Sequence, residues 1–211
     1  LLHGESVSDS SGKNNTISPL GPTPPTIATQ GVKLGSSGIF FNGGYLGLPD
    51  NSRFAFLTND FTVEFFAKPT EISQPFHIIY DSRSSSGSNG LLIFINSTGQ
   101  LRVLTDPVMT ASADSTKDLY TEAGVMQVGK YSHIAVVRTQ TDIKLYIDGV
   151  CSANMSKTMA PVNLTNTLAR IGQTQEGGNY YKGYIDEFRI TNGAARYTQD
   201  FTPPTKEFLN M

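Results

Sequence analysis

The sequence has no tryptophan and one cysteine, Cys151, and only 16% of its 211 residues are charged. A single thiol excludes an internal disulfide and a thiolate metal cluster. Cys151 follows an Asp148-Gly149 turn with no histidine or cation near it in sequence, so it reads as a half-buried small residue opening a strand. Long apolar runs are missing too. The longest, Leu91 to Ile95, falls far short of the ~20 residues that span a bilayer, which excludes membrane insertion. A formal net charge of −2 gives no broad cationic field, which excludes a nucleic-acid partner. No charged-then-apolar leader opens the chain, and its start at Leu1-Leu2-His3 is the pattern expected of a fragment or a processed product. Helical periodicity is not sustained anywhere over a dozen residues.

What is present is the usage of strands and turns. Hydrophobic residues make up 38%, and Ser, Thr, Asn and Gly carry the polarity that Glu, Lys and Ala would carry on surface helices. Phe61, Val63 and Phe65 alternate with Thr62, Glu64, Phe66 and Lys68, a strand with one apolar face. Leu91 to Asn96 and Leu101 to Thr105 flank Ser97-Thr98-Gly99-Gln100 as a hairpin. Tyr131 to Arg138 and Ile143 to Ile147 form another, with Lys144 and Tyr146 on the polar side of the second strand. Gly38 to Phe41, Tyr45 to Leu48, His77 to Asp81, Leu168 to Ile171 and Gly183 to Ile190 are shorter candidates. Many strands with short hairpins and no crossover helices imply an all-β fold, two antiparallel sheets packed as a sandwich. Three stretches lack apolar pattern. The Pro-rich Ser18 to Pro25 reads as an extended surface connection. Ser82 to Gly90 is a Ser/Gly loop, and Thr105 to Gly124 is the longest irregular segment, of the kind that carries binding surfaces. None resembles a boundary between two cores, so residues 1–211 are expected to form one domain.

The wording of these segments adds a resemblance. Asp9-Ser10-Ser11-Gly12-Lys13-Asn14, Phe41-Asn42-Gly43-Gly44-Tyr45-Leu46 and Phe61 to Phe65 come first. His133-Ile134-Ala135-Val136-Val137-Arg138, Leu145-Tyr146-Ile147-Asp148-Gly149 and Gly183-Tyr184-Ile185-Asp186-Glu187-Phe188-Arg189-Ile190 follow, then Ala195-Arg196-Tyr197 and Phe201-Thr202-Pro203-Pro204. In this order they resemble the laminin-G-like, concanavalin-A-like jelly-roll domains, in the version found in phage tail and virion proteins. That family often has Trp where Phe66 and Tyr131 stand here. The resemblance implies a structural calcium ion (Ca2+) at the sandwich edge, held by Asp9, Gly12, Asn14 and Asp186. Mixed carboxylate and carbonyl oxygens suit calcium. The same Asp-Ser-Ser-Gly also reads as an ordinary turn in which Asp accepts from amides two residues on.

For sugar contact, Gly177-Gly178-Asn179-Tyr180-Tyr181 offers an amide and two rings, and Tyr120 offers another in the long loop. Tyr can stack on a sugar while its hydroxyl stays wet, although Tyr on strands commonly packs. Catalysis lacks its parts. Glu64 stands alone, Asp186 and Glu187 are adjacent and so expected on opposite faces, and neither forms the facing pair a glycosidase needs. His3, His77 and His133 fall on separate strands without zinc spacing. His133, inside an apolar run, reads as a packed, hydrogen-bonded core residue. The expected role is therefore a non-catalytic glycan-binding or adhesion module on a virion surface, recognising a host-surface saccharide. The alternative is a decoration or assembly module contacting neighbouring virion proteins. The setting allows a homotrimer, though no heptad seam encodes one.

Overall fold

The computed structural model describes residues 1–85, 87–105, 118–158 and 163–210. Its strands are β1 (Ser18–Leu20), β2 (Thr26–Ala28), β3 (Gly38–Asn42), β4 (Tyr45–Gly47), β5 (Phe61–Pro69), β6 (His77–Asp81) and β7 (Leu92–Ile95). They continue with β8 (Leu101–Leu104), β9 (Leu119–Tyr120), β10 (Ser132–Arg138), β11 (Asp142–Ile147), β12 (Ser156–Thr158), β13 (Arg170–Ile171) and β14 (Lys182–Asn192). Two seven-stranded antiparallel sheets result, ordered β1-β4-β13-β6-β7-β8-β9 and β12-β11-β10-β5-β14-β3-β2. The sandwich expected from alternation is the observed fold. Residues 106–117 of the long loop lie outside the described residues.

Register explains the core. Across the first sheet Leu46, Ile171, Tyr80, Ile93, Val103 and Leu119 stand opposite one another, and across the second Ile190, Val63, Val136 and Leu145 do so. All but the half-buried Ile190 are nearly sealed from solvent, and these rows meet in one apolar cluster between the sheets. Pro19 sits in β1, at an edge, the position open to a residue without an amide donor.

The outer face of the second sheet departs from the simple alternation. Thr62, Glu64 and Phe66 on β5 are buried although their partners on the strand already fill the core. After β14 the chain turns back as a strap that covers them. Tyr197 and Phe201 stack at 3.6 Å and 7°, against Tyr146 and His133, and Phe208 packs over Phe66 and His133. Tyr146 is thereby fully buried, which corrects its assignment to a polar side. His133 is packed as expected, but among the described residues neither ring nitrogen makes a hydrogen bond, and its Nε2 stands 3.5 Å from Glu64 Oε2.

Beneath the strap lies a buried charge network. Glu64 Oε1 accepts from Arg189 Nε at 3.0 Å and Nη2 at 2.8 Å, while Oε2 accepts from the Tyr197 hydroxyl at 2.9 Å. Burial works to raise the Glu64 carboxyl. The imidazole beside it, the Arg189 charge and these hydrogen bonds outweigh that and hold it below the ordinary range.

Candidate functional site

The opening segment is zipped onto the closing strand. Leu2 N donates to Phe188 O at 2.8 Å and Phe188 N returns a bond to Leu2 O at 2.9 Å. From there the chain loops back through residues 9–15, where Gly12 (φ 70°) and Asn14 (φ 55°) take left-handed conformations. Asp9 organises this loop. Its Oδ1 accepts from Ser11 N at 3.0 Å and the Leu1 nitrogen at 3.2 Å, and its Oδ2 from Asn15 N at 3.1 Å and Asn15 Nδ2 at 2.6 Å. Burial would raise this carboxyl, yet the hydrogen bonds from Ser11 and Asn15 drive it far below the usual range.

Asp186 has different company. Its Oδ2 accepts from Lys33 N at 2.9 Å and Leu34 N at 3.0 Å, and its Oδ1 lies against Gly4. Burial pushes its pKa up to about 6. Asp9 is tied to Leu1 and its own loop, whereas Asp186 is tied to Lys33 and Leu34 and lies against Gly4, so the two carboxylates have different partners. With both Asp9 oxygens already bonded, Asp9, Gly12, Asn14 and Asp186 do not fit a single calcium ion as arranged.

The neighbouring pair also needs correction. The ladder between β14 and β5 slips between Asp186 and Arg189, and Glu187 adopts φ 53°. That bulge puts Glu187 on the outer face together with Asp186, where its Oε2 accepts from Phe208 N at 2.6 Å. The two carboxyls therefore share a face instead of opposing each other. Both are buried, so neither lines an open trough.

The expected sugar-binding residues do not come together. Tyr181 is wholly buried, its hydroxyl donating to Tyr184 O at 3.3 Å and its ring edge-on to Phe41 at 6.1 Å, so it presents no face to solvent. Asn179 is exposed at φ 49° and Tyr180 is half-exposed beside Ile78. Tyr120 lies at the far end of the cross-strand row Ile78, Phe94, Arg102, Tyr120. Four strand spacings, about 19 Å, separate it from Tyr180.

What the structure does assemble is a cleft of about 570 Å³ between the ends of the two sheets. Leu2, Leu48, Phe54, Ile171 and Phe188 line its apolar part, and Asp9, Ser11, Lys13, Asn15, Arg53, Asn59 and Asn192 supply its polar groups. Those polar residues come from the opening loop, the 51–59 turn and the end of β14. Their positions are fixed. Asn51 Oδ1 accepts from Arg53 N at 3.0 Å, and Asn192 Nδ2 donates to Arg53 O at 3.0 Å and Ala55 O at 2.9 Å. Arg53 Nη1 donates to Lys13 O at 3.4 Å, which ties two exposed basic residues to the same rim. Among the described residues no carboxylate pairs with either, while Asp9 is spent on its own loop. The cleft is thus apolar inside and cationic at the mouth.

A second surface was also hidden in the sequence. On the outer face of the second sheet Phe40, Tyr184 and Lys68 stand in register, half-exposed. Lys68 Nζ lies 4.5 Å from the Tyr184 ring and 5.0 Å from that of Tyr131.

A two-sheet jelly roll with loops gathered around an end cleft is a lectin-like architecture. Residues 40–199 match the concanavalin A-like lectin/glucanases superfamily, and the chain belongs to it. No curated protein matches the chain in sequence. Among solved structures it is similar to domain 4 of AbnA, a GH43 extracellular arabinanase from Geobacillus stearothermophilus, in complex with arabinotriose. That match has a TM-score of 0.60 at 20% identity and covers 90% of this chain and 88% of that one. It is also similar to the botulinum neurotoxin serotype G binding domain, with a TM-score of 0.62 at 13% identity over 92% of this chain and 46% of that one. Mouse laminin alpha1 domains LG4-5 give a TM-score of 0.56 at 14% identity over 77% and 44%. The chain thus spans less than half the length of the latter two. At these identities the likeness establishes the fold.

Proposed function

We propose that this domain binds saccharide without cleaving it, in the cleft between the sheet ends, and that it favours sugars bearing a carboxylate or sulfate. The observation that carries this reading is the pairing of an apolar floor with the Asn15, Asn59 and Asn192 amides and the Lys13 and Arg53 cations, which pair with no carboxylate among the described residues. Sugars present C–H faces and hydroxyl edges, and such a cleft answers both, while its volume falls within the range of small-ligand pockets. The superfamily and the arabinotriose-bound relative support a glycan over other small ligands. The wording of the closing strand supports placing the domain on a virion surface that meets host glycans.

A glycan array with acidic and neutral saccharides tests this. Binding to acidic members, weakened at least tenfold by Arg53→Ala or Asn59→Ala, is the expected result. Equal response to neutral sugars refutes the charge preference. Binding that survives both changes but is lost with Tyr184→Ala moves the site to the aromatic row, and loss with Tyr180→Ala moves it to the 177–181 loop. Silence across the array favours the assembly role, in which the same surfaces contact neighbouring proteins.

A further inference from the structure

We propose that His3, Glu5, Glu187 and Glu207 form a binding site for a divalent transition-metal ion, with Zn2+ as the first choice. One donor atom from each of the four lies within 4.8 Å of all the others. Donors around a tetrahedral zinc, at ~2.1 Å from the ion, stand about 3.4 Å apart. Closing the set therefore asks for about an ångström of movement. Glu5 and Glu207 are exposed and can supply it, Glu5 by shifting its bond from Ser36 N, while Glu187 is buried and held in place.

The site is built in several steps. The left-handed Glu187 bulge turns that carboxylate onto the outer face, where His3 Nδ1 meets its Oε1 at 2.6 Å. The antiparallel bridge between Leu2 and Phe188 fixes the approach of His3. Glu5 Oε1 is steadied by Ser36 N at 2.8 Å. Gly35 leaves the room in which the outer carboxylates meet: a Cβ there would stand 2.1 Å from Glu5 Oε1 and 2.4 Å from Glu207 Oε1.

Three carboxylates thus converge, one of them buried, and the only ion pair recorded for them among the described residues is with His3. An independent observation points the same way. Asp186 Oδ1, on the same face and one residue from Glu187, is buried with no hydrogen-bond partner among the described residues. It lies against Gly4, the residue between His3 and Glu5. An unsatisfied acceptor there suits a hydrogen bond from a metal-bound water, the usual outer-shell partner of such a centre. One imidazole nitrogen with carboxylate oxygens is a donor set for zinc or manganese, whereas calcium takes oxygens alone. His3, Glu5 and Glu207 lie outside the residues that match the superfamily, and Glu187 lies within them. A metal here would clip the opening segment, the closing strand and the end of the strap together.

The test uses the whole chain after chelator treatment, with Zn2+ and Ca2+ titrated separately by calorimetry and by thermal melting. One equivalent of Zn2+ is expected to bind and to raise Tm by several degrees once it is in hundredfold excess over Kd. Glu5→Gln and Glu207→Gln, both at exposed positions, should each weaken Zn2+ at least tenfold while leaving the circular dichroism spectrum intact. Co2+ should give visible absorption in the parent chain that both variants lose. Absence of Zn2+ binding overturns the proposal, as does binding unchanged in the double variant. Ca2+ bound more tightly than Zn2+ also overturns it.

Discussion

Changing Glu64 to Gln should cost about 3 kcal/mol of folding stability, the low end of the range for breaking a buried ion pair. The low end applies because Arg189 keeps 10% of its side chain exposed, so part of its stranded charge still reaches water. Gln preserves the shape and can still accept from Tyr197, but it leaves the guanidinium, 3.9 Å from the Phe208 ring centre, with no anion. For a domain of this size the loss corresponds to a Tm lower by roughly 6–12 °C. Urea unfolding followed by circular dichroism measures it. Limited trypsin digestion at Arg196 and Lys206 reports whether the strap lifts first. The double change Glu64→Gln, Arg189→Met separates charge from packing. Removing Glu64 and Arg189 together should restore most of the stability, because the penalty is an unpaired buried cation more than a lost attraction, and Arg196, 3.7 Å from Glu64 Oε1, keeps 24% of its side chain exposed. A single variant within 1 kcal/mol of the parent, or a double variant worse than the single, refutes the reasoning.

The same carboxyl sets an acid limit. Its folded pKa lies below the ordinary ~4.3, so its contribution is complete above that value and is lost as pH falls through the folded one, which stability measured between pH 5 and 2 should show. Gly31→Ala should destabilise by about 1–3 kcal/mol, because a Cβ there meets Tyr184 Cδ1 at 2.1 Å, and chemical denaturation checks it. Gly12→Ala meets nothing within 4 Å and should cost only about 1 kcal/mol, from its left-handed φ of 70° alone. Cys151, whose thiol is raised by burial and donates to Met155 O at 3.4 Å, should react with a disulfide reagent at neutral pH roughly tenfold slower than a free thiol, recovering in urea.

Strands were legible from local pattern, as the alternation in β5 and β11 and the apolar hairpin segments of β7, β8 and β10 show. The outer-face residues were not. Phe66, His133 and Tyr146 are covered by a strap without regular periodicity, and no local rule says which sheet such a tail will cross. The bulge at Glu187 was equally silent, since an acidic residue in a left-handed conformation carries no sequence mark, and it reversed the expected facing of Asp186 and Glu187. Both the cleft and the histidine–carboxylate cluster draw on segments about 180 positions apart, joined by one bridge between Leu2 and Phe188. The Asp9 loop was visible as a turn. Its place on the rim of the cleft depended on that bridge.

The central position of β14 has a consequence for how the molecule is made. It lies between β5 and β3 yet is the last of the described strands, so β5 with β10 and β3 with β2 remain two separate pairings until residues 182–192 have been synthesised. Pairings of such long sequence separation slow folding, and the half-built sheet meanwhile carries two open edges. A ribosome-stalled chain ending before Lys182 should be captured by chaperones or aggregate. One extended to Asn210 can close the sheet and lay down the strap together.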